Sequence, residues 1–258
     1  NENIKSMKLY NNVVRIQNEL KEVGKDNDCP LSLTDLESFD QLHYHGVEAL
    51  DIAIEKLGIN HNSNILEIGA GIGGPARYIA SKTGAFVTAV ELQEDHHQVG
   101  IGLTRRCGLE EKIKHICGDF LDSCLPTESF DAVVSWLAIY HIPDREKLLN
   151  LCFTYLKQKG FFFTEDFACY SSLSNAEQME LSKEFFANYL VSYNDFRLDL
   201  ARAGFSNIMS DDMTVSWRKF TEDRYNAYRD NIERHERVHN KEIVSNMLKF
   251  YDFARRYL

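Results

Sequence analysis

The chain has 258 residues, 44% of them hydrophobic, and a formal net charge of −10. This length and apolar content can bury one sizeable core, which points to a single α/β domain with additions rather than two domains. The acidic balance argues against a broad phosphate-binding surface for DNA or RNA, and no run approaches the ~20 apolar residues that cross a bilayer. Cys29, Cys107, Cys117, Cys124, Cys152 and Cys169 form no C-x-x-C pair, and several fall in predicted core elements. That is the pattern of free thiols in a reducing compartment, so the expected location is cytoplasmic, with neither nucleic acid nor membrane as a partner. Nothing in the sequence chooses between a monomer and a homodimer.

In chain order, Leu9, Val13, Val14, Ile16 and Leu20 recur at roughly helical spacing, and K-E-V-G-K-D-N-D after them reads as a polar connection. Residues 1–39 are thus an expected helical extension, and 40–258 the main domain. The later half of 33–57 is an amphipathic helix ending at Gly58, a plausible C-cap. Ile65, Leu66 and Ile68 form a short buried strand that breaks at Gly69. Gly71, Gly73 and Gly74 let the backbone turn before a helix begins near Pro75.

Further strands are expected at Phe86–Glu91, 112–117, 130–135 and 160–167, with helices between them, including 94–107 and one starting at Pro143. Short apolar runs separated by helices mean a parallel sheet covered on both faces, whose ligands lie beyond the carboxyl ends of the strands. A helical insertion follows at 174–194, then a helix at 195–203 and a sixth strand at 206–209. A charged helical tail occupies 221–258. The short run M-T-V-S-W at 213–217 is one candidate for a final antiparallel strand. The other reading, favoured because the chain begins without Met, is that the sequence stops just before such a strand.

Loop positions carry the chemistry. Side chains at Gly71, Gly73 and Gly74 would block close approach of a ligand to the backbone, and the first-turn N–H groups of the next helix are free to meet a polar or negative group. Glu91 ends the next apolar run 22 residues after Gly69, where a carboxylate takes both hydroxyls of a ribose. Gly69, Gly71 and Gly74 satisfy G-x-G-x-x-G, so a nicotinamide dehydrogenase has to be weighed, and the glycines alone do not decide. Glu67 before the glycines suits a methionine ammonium, while Asp119 and Phe120 suit an adenine. A dehydrogenase needs none of these.

The stretch N-I-L-E-I-G-A-G-I-G-G-P resembles motif I of the class I S-adenosylmethionine-dependent methyltransferases. I-G-G-P-A-R is similar to the small-molecule branch that contains the sterol, tocopherol, sarcosine/dimethylglycine and phosphoethanolamine enzymes. The resemblance spans about 40–204 and implies a Rossmann-like, mostly parallel twisted sheet with helical N- and C-terminal lid additions. It also implies S-adenosylmethionine as cofactor and S-adenosylhomocysteine as product. On it, Glu67, Gly69, Gly71 and Gly73 hold the methionine end, Glu91 and Leu92 the ribose region, and Asp119, Phe120 and Trp136 the adenine side.

The acceptor is expected to be a small molecule, methylated at an amine nitrogen. An amine must lose a proton to attack, and His suits that task near neutral pH. His141, in A-I-Y-H-I just past strand 4, matches the position of a catalytic histidine in phosphoethanolamine methyltransferases. Tyr44, with His43 and His45, lies in a segment that in related enzymes closes over the cofactor. Tyr140, Tyr189, Tyr193 and Trp217 complete an aromatic set suited to a methylated ammonium. Phosphate-holding cations are missing near Tyr189 and Tyr193, although Arg197, Arg218 and Lys219 could substitute. An oxygen acceptor and a catalytically inactive cofactor-binding regulator remain as alternatives. No metal is expected: His96 and His97 diverge by about 100° on a helix and read as surface residues. His235 and His239, four apart, lack a third ligand and read as a solvated face.

Overall fold

The computed structural model describes residues 13–25, 28–170 and 173–258. Five parallel strands, β1 (Asn64–Ile68), β2 (Phe86–Glu91), β3 (Ile113–Cys117), β4 (Phe130–Trp136) and β5 (Leu156–Glu165), form one sheet in the order β3-β2-β1-β4-β5. The chain runs outward from β1 to β3 and then returns to the other side of β1 for β4. This reversal opens a crevice beyond the carboxyl ends of β1 and β4, where ligands of doubly wound sheets bind.

Period-2 alternation sends neighbouring residues to opposite faces. Ile65, Val87, Ala132 and Val134 pack on one side with Leu50 and Ala53 of α2 (Val47–Leu57) and with Ala76 and Ile79 of α3 (Gly74–Thr83). Leu66, Val90 and Val133 pack on the other with Leu148, Cys152 and Tyr155 of α5 (Arg145–Tyr155). Both faces are thereby withdrawn from water, which explains why the strands read as near-continuous apolar runs. Local signals set the ends. Gly58 caps α2 at φ 62°, and the Asp144 side chain accepts from the Lys147 N–H ahead of α5. Ser174 and Glu177 form a reciprocal capping box on α6 (Asn175–Phe185).

Helix α1 (Val14–Glu22) lays Ile16 and Leu20 against Leu36, Phe39 and Ile72 of the glycine turn. Leu9, from the same predicted periodic stretch, lies outside the described residues. Helix α4 (Glu94–Arg106) follows β2. The remaining helices are α7 (Tyr193–Arg202), α8 (Thr214–Asp230), α9 (Ile232–Val238) and α10 (Lys241–Tyr257). Phe253 and Ala254 of α10 pack with Leu181 and Phe185 of α6 and with Tyr140, so the C-terminal helices roof the carboxyl edge of the sheet.

Several expectations are corrected here. Residues 206–209 form no strand, and M-T-V-S-W opens α8 instead of forming a final strand. The buried positions Trp217, Thr221 and Tyr228 follow a helical period over a longer window, and that period outweighs the strand-like composition of five residues. His96 and His97 are buried: His96, in the first turn of α4, lines the cleft, and His97 packs against His115 with ring centroids 6.1 Å apart. Of the six free cysteines only Cys152 is fully buried; Cys29, Cys117 and Cys124 are exposed. Among the described residues no helix is long and apolar enough to cross a membrane.

Candidate active site

The cleft at the switch point is lined by the β1–α3 turn, the β2–α4 junction, the loop after β3 and the segment after β4. Each glycine in the turn has its own reason. Gly69 (φ 70°) leaves no room for a Cβ against Ala138, and Gly74 leaves none against the Asp40 carbonyl. Gly71 (φ 55°) has nothing within 4 Å of a built Cβ and faces the cleft. Gly73 (φ 80°) does not line the cleft; a Cβ there would meet Arg77 and His115 at 3.0 Å. Its assignment to ligand contact is therefore replaced by a role in the α3 entry.

Glu67 is 2% exposed, and its Oε2 has no hydrogen-bond partner. Burial pushes its pKa from 4.5 up to about 8, an effect that neighbouring Arg77 opposes and Glu91 reinforces. An orphaned carboxylate oxygen facing a cleft is what an ammonium group would satisfy. Glu91 Oε2 accepts the Gly71 N–H and Oε1 accepts the Gln93 N–H, both at 2.8 Å. Two backbone donors thus fix the carboxylate, and each oxygen keeps a second lone pair for a diol. Leu92 and Trp136 also line the cleft, as does the buried Phe120, whose ring packs edge-on against Tyr155 at 6.1 Å. Asp119 caps the turn at Phe120–Asp122 by accepting the Leu121 N–H at 2.9 Å.

His141 ends a short 3₁₀ turn, Ile139–His141, and lines the same cleft. Its Nδ1 lies 3.1 Å from the Phe186 carbonyl oxygen. A carbonyl only accepts, so Nδ1 carries the proton and Nε2 keeps its lone pair. Burial lowers the His141 pKa to about 4, so the ring is neutral at physiological pH.

The aromatic set divides. Tyr44 stacks on Trp217 at 4.3 Å, and Phe167 and Phe220 meet it edge-on at 6.1 and 5.8 Å. Tyr140 packs on His141 at 3.9 Å and on Phe167 at 5.2 Å, so these residues form one aromatic wall behind His141. Tyr189 and Tyr193 do not join it. The Tyr189 carbonyl accepts from Arg145 at 2.8 Å, and the exposed Tyr193 hydroxyl bonds Ser210 and Arg197. The proposed substitute cations are also elsewhere: Arg218 donates to the Leu258 carbonyl and Lys219 pairs with Asp223. Among the described residues no Lys or Arg lines the cleft.

Two contributors escaped the sequence reading: His96 lines the cleft, and Asp40 pairs with the fully buried Arg77 at 3.2 Å, tying the segment before α2 to α3. His43, expected in the segment that closes over the cofactor, also lines the cleft. The His43 ring is held by the Tyr44 carbonyl and the Gln41 side chain at 3.1 and 3.0 Å, and burial lowers its pKa to about 4. A cleft-lining histidine in the first turn of α4 carries no sequence signal of its own, because its burial depends on which element covers that turn.

This sheet order, with acids placed at the ends of β1 and β2 around a glycine turn, defines a class I S-adenosylmethionine-dependent methyltransferase fold. Residues 66–164 match the family described as a methyltransferase domain, which together with this fold supports a class I methyltransferase. The chain is 34% identical over 160 residues to a glycine/sarcosine/dimethylglycine N-methyltransferase of Actinopolyspora halophila, covering 62% of this chain and 28% of that one. It is 27% identical over 193 residues to a phosphoethanolamine N-methyltransferase of Plasmodium falciparum, covering 73% of this chain and 70% of that one. A solved structure of phosphoethanolamine N-methyltransferase 2 of Haemonchus contortus, in complex with phosphomonomethylethanolamine and S-adenosylhomocysteine, superimposes with a TM-score of 0.79 at 19% identity. That match covers 94% of this chain and 56% of the other. The first of these curated relatives is thus more than three times as long as the segment it shares.

The residues fit the cofactor of the class: the orphaned Glu67 oxygen, the open space at Gly71 and the pre-set Glu91 carboxylate would take its ammonium, backbone-facing and ribose parts.

Proposed function

We propose that this protein transfers a methyl group from S-adenosylmethionine to an amine nitrogen of a small molecule. The observation that carries the reading is His141, a buried neutral imidazole with its proton fixed on Nδ1 and its Nε2 lone pair left to take a proton, on the same cleft as Glu67 and Glu91. When bound, the cofactor supplies an electrophilic methyl on a sulfonium. The chain's work is to hold the acceptor about 3 Å from that carbon and to remove a proton from it; positioning alone is worth ~7–11 kcal/mol. His141 Nε2 takes that proton, and the Phe186 carbonyl stabilises the imidazolium that forms. Glu67 and Glu91 would hold the cofactor's ammonium and ribose in the same cleft.

An amine is favoured over an anion because, among the described residues, no cationic side chain lines the cleft while the Trp136 ring does; Tyr44, Tyr140, Phe167 and Trp217 pack behind His141 outside that lining. The two relatives described above are named for glycine, sarcosine, dimethylglycine and phosphoethanolamine, all amines. The phosphoester is the less favoured of these, since Arg197, Arg218 and Lys219 are engaged outside the cleft. The reading includes the extension 1–39 and the tail 221–258 as parts of one methyltransferase unit. The six free thiols support a cytoplasmic location.

The experiment is transfer of labelled methyl from the donor to a panel of primary, secondary and tertiary amines, phosphoethanolamine and matched alcohols, with His141→Ala as control. Label in an amine, lost in the variant, supports the reading. Label confined to the alcohols would replace it with O-methylation, and cofactor binding without label in any acceptor would replace it with a regulator.

A further inference from the structure

His235-Glu236-Arg237-Val238-His239, at the end of α9, reads H-E-x-x-H, a spacing that sets two imidazoles one helical turn apart on one face. The reading of a solvated helix face is corrected by the fold, which brings α1 against α9 and supplies a third ligand type. Glu19, His235 and His239 each present a ligand atom, all within 4.8 Å of one another. The His239 side chain is 1% exposed, with Nε2 2.7 Å from Glu19 Oε1 and with Nδ1 buried and unpartnered. The two imidazole planes lie within 11° of parallel, and His235 is held by stacking on Tyr228 at 4.0 Å.

A cation already sits between two of these groups, Glu19 and His235, while His239 Nε2 donates to Glu19 and must give up that proton to bind a metal. Arg234 Nη1 lies 3.0 Å from Glu19 Oε1 and 3.4 Å from His235 Nδ1, while Nη2 lies 2.6 Å from Glu19 Oε2. A guanidinium only donates, so the lone pair of His235 Nδ1 points toward the same centre as the Glu19 carboxylate. We propose that Glu19, His235 and His239 form a binding site for a divalent transition metal of the zinc type, in which the metal takes the place of the Arg234 guanidinium.

The donor set of two imidazoles and one carboxylate is of the zinc type, with a fourth position left for water. In tetrahedral coordination at ordinary bond lengths the ligand atoms stand roughly 3.4 Å apart, so Glu19 and His239 open from their 2.7 Å contact while the His235 nitrogen, within 4.8 Å of both, closes in. The Arg234 side chain is 35% exposed and has solvent to move into. The site joins the two ends of the described chain. Ile16 and Leu20, on the same helix as Glu19, pack with Ile72 of the glycine turn, so a bound metal would fix α1 beside the cofactor cleft.

The test uses the full chain dialysed free of metal and titrated with Co²⁺, then Zn²⁺. One equivalent of Co²⁺ with the visible bands of a tetrahedral site, displaced by Zn²⁺, together with a rise in melting temperature, is expected. His235→Ala and His239→Ala should each weaken binding by more than the about 10–100-fold typical of losing an outer-shell partner. Arg234→Met, which removes the competing cation, should tighten it. Melting curves in chelator check that each variant folds; should a histidine variant not fold, Arg234→Met and the cobalt spectrum decide. Metal binding indifferent to both histidines, or no stoichiometric binding even in Arg234→Met, would overturn the proposal.

Discussion

The Nδ1 of His141 lies 3.1 Å from the carbonyl oxygen of Phe186, a residue 45 positions further along the chain at the end of α6. That contact decides the tautomer and so the chemistry. His141→Ala is expected to lower kcat by about 10²–10⁴-fold, the usual worth of a general base, while cofactor affinity changes only a few-fold. Steady-state kinetics beside calorimetric titration of S-adenosylhomocysteine separates the two. Equal losses in both would mean that His141 supports the cofactor rather than the acceptor.

Stability should fall in acid for an identifiable reason. His43 and His141 are held neutral, with folded pKa values of about 4 against an ordinary 6.5. Between these values the unfolded chain binds more protons, so stability rises with pH across that window, by up to about 3 kcal/mol per histidine. Glu67, Glu165 and Asp166 act in the opposite sense, since burial raises them to about 8, 7 and 7 and favours the folded state at low pH. Urea midpoints at pH 6.5 and 4.5 for the native chain and His141→Gln isolate the histidine, and a smaller acid loss is expected in the variant.

Cofactor binding should release a proton from Glu67. With its pKa near 8, Glu67 is mostly protonated at pH 7, and an ammonium beside the orphaned Oε2 favours the carboxylate. Calorimetry of S-adenosylmethionine binding in buffers of different ionisation enthalpy should report release of about one proton per site. Glu67→Gln should abolish the buffer dependence. A buffer-independent heat in the native chain would place the ammonium elsewhere.

The glycines of the turn should separate by phenotype. Gly74→Ala drives a Cβ into the Asp40 carbonyl and should lower the melting temperature sharply. Gly71→Ala has open space in the unliganded chain, so its cost to stability is the left-handed φ of 55°, about 1–2 kcal/mol, while cofactor affinity suffers more because the methyl enters the cleft. Melting curves with and without S-adenosylhomocysteine distinguish the two, and equal ligand stabilisation of Gly71→Ala and the native chain would remove Gly71 from the contact surface.

Glu91→Ala should cost cofactor binding about 1.5–3 kcal/mol per lost charged hydrogen bond and also loosen the turn, since Gly71 and Gln93 lose their shared acceptor. Titration of S-adenosylhomocysteine against both variants checks it, with Glu91→Gln expected to fall between the native chain and Glu91→Ala.

The sequence by itself determined the sheet and the cofactor edge. Phe86–Glu91 was legible to the residue, and Glu67, Glu91, Asp119 and Phe120 lie at strand ends, because alternation, glycine turns and strand termini are local consequences of backbone geometry. Only the tertiary structure decided what depends on elements far apart in sequence. The burial of His96 depends on where α4 packs, the helical state of 213–217 on burial of Trp217 against Tyr44, and the separation of Tyr193 from the aromatic wall on where α7 packs. The third neighbour of His235 and His239, Glu19, arrives from more than two hundred residues away. Periodicity reports which face a residue takes on its own element, but which other element covers that face is set by long-range packing, which leaves no local trace.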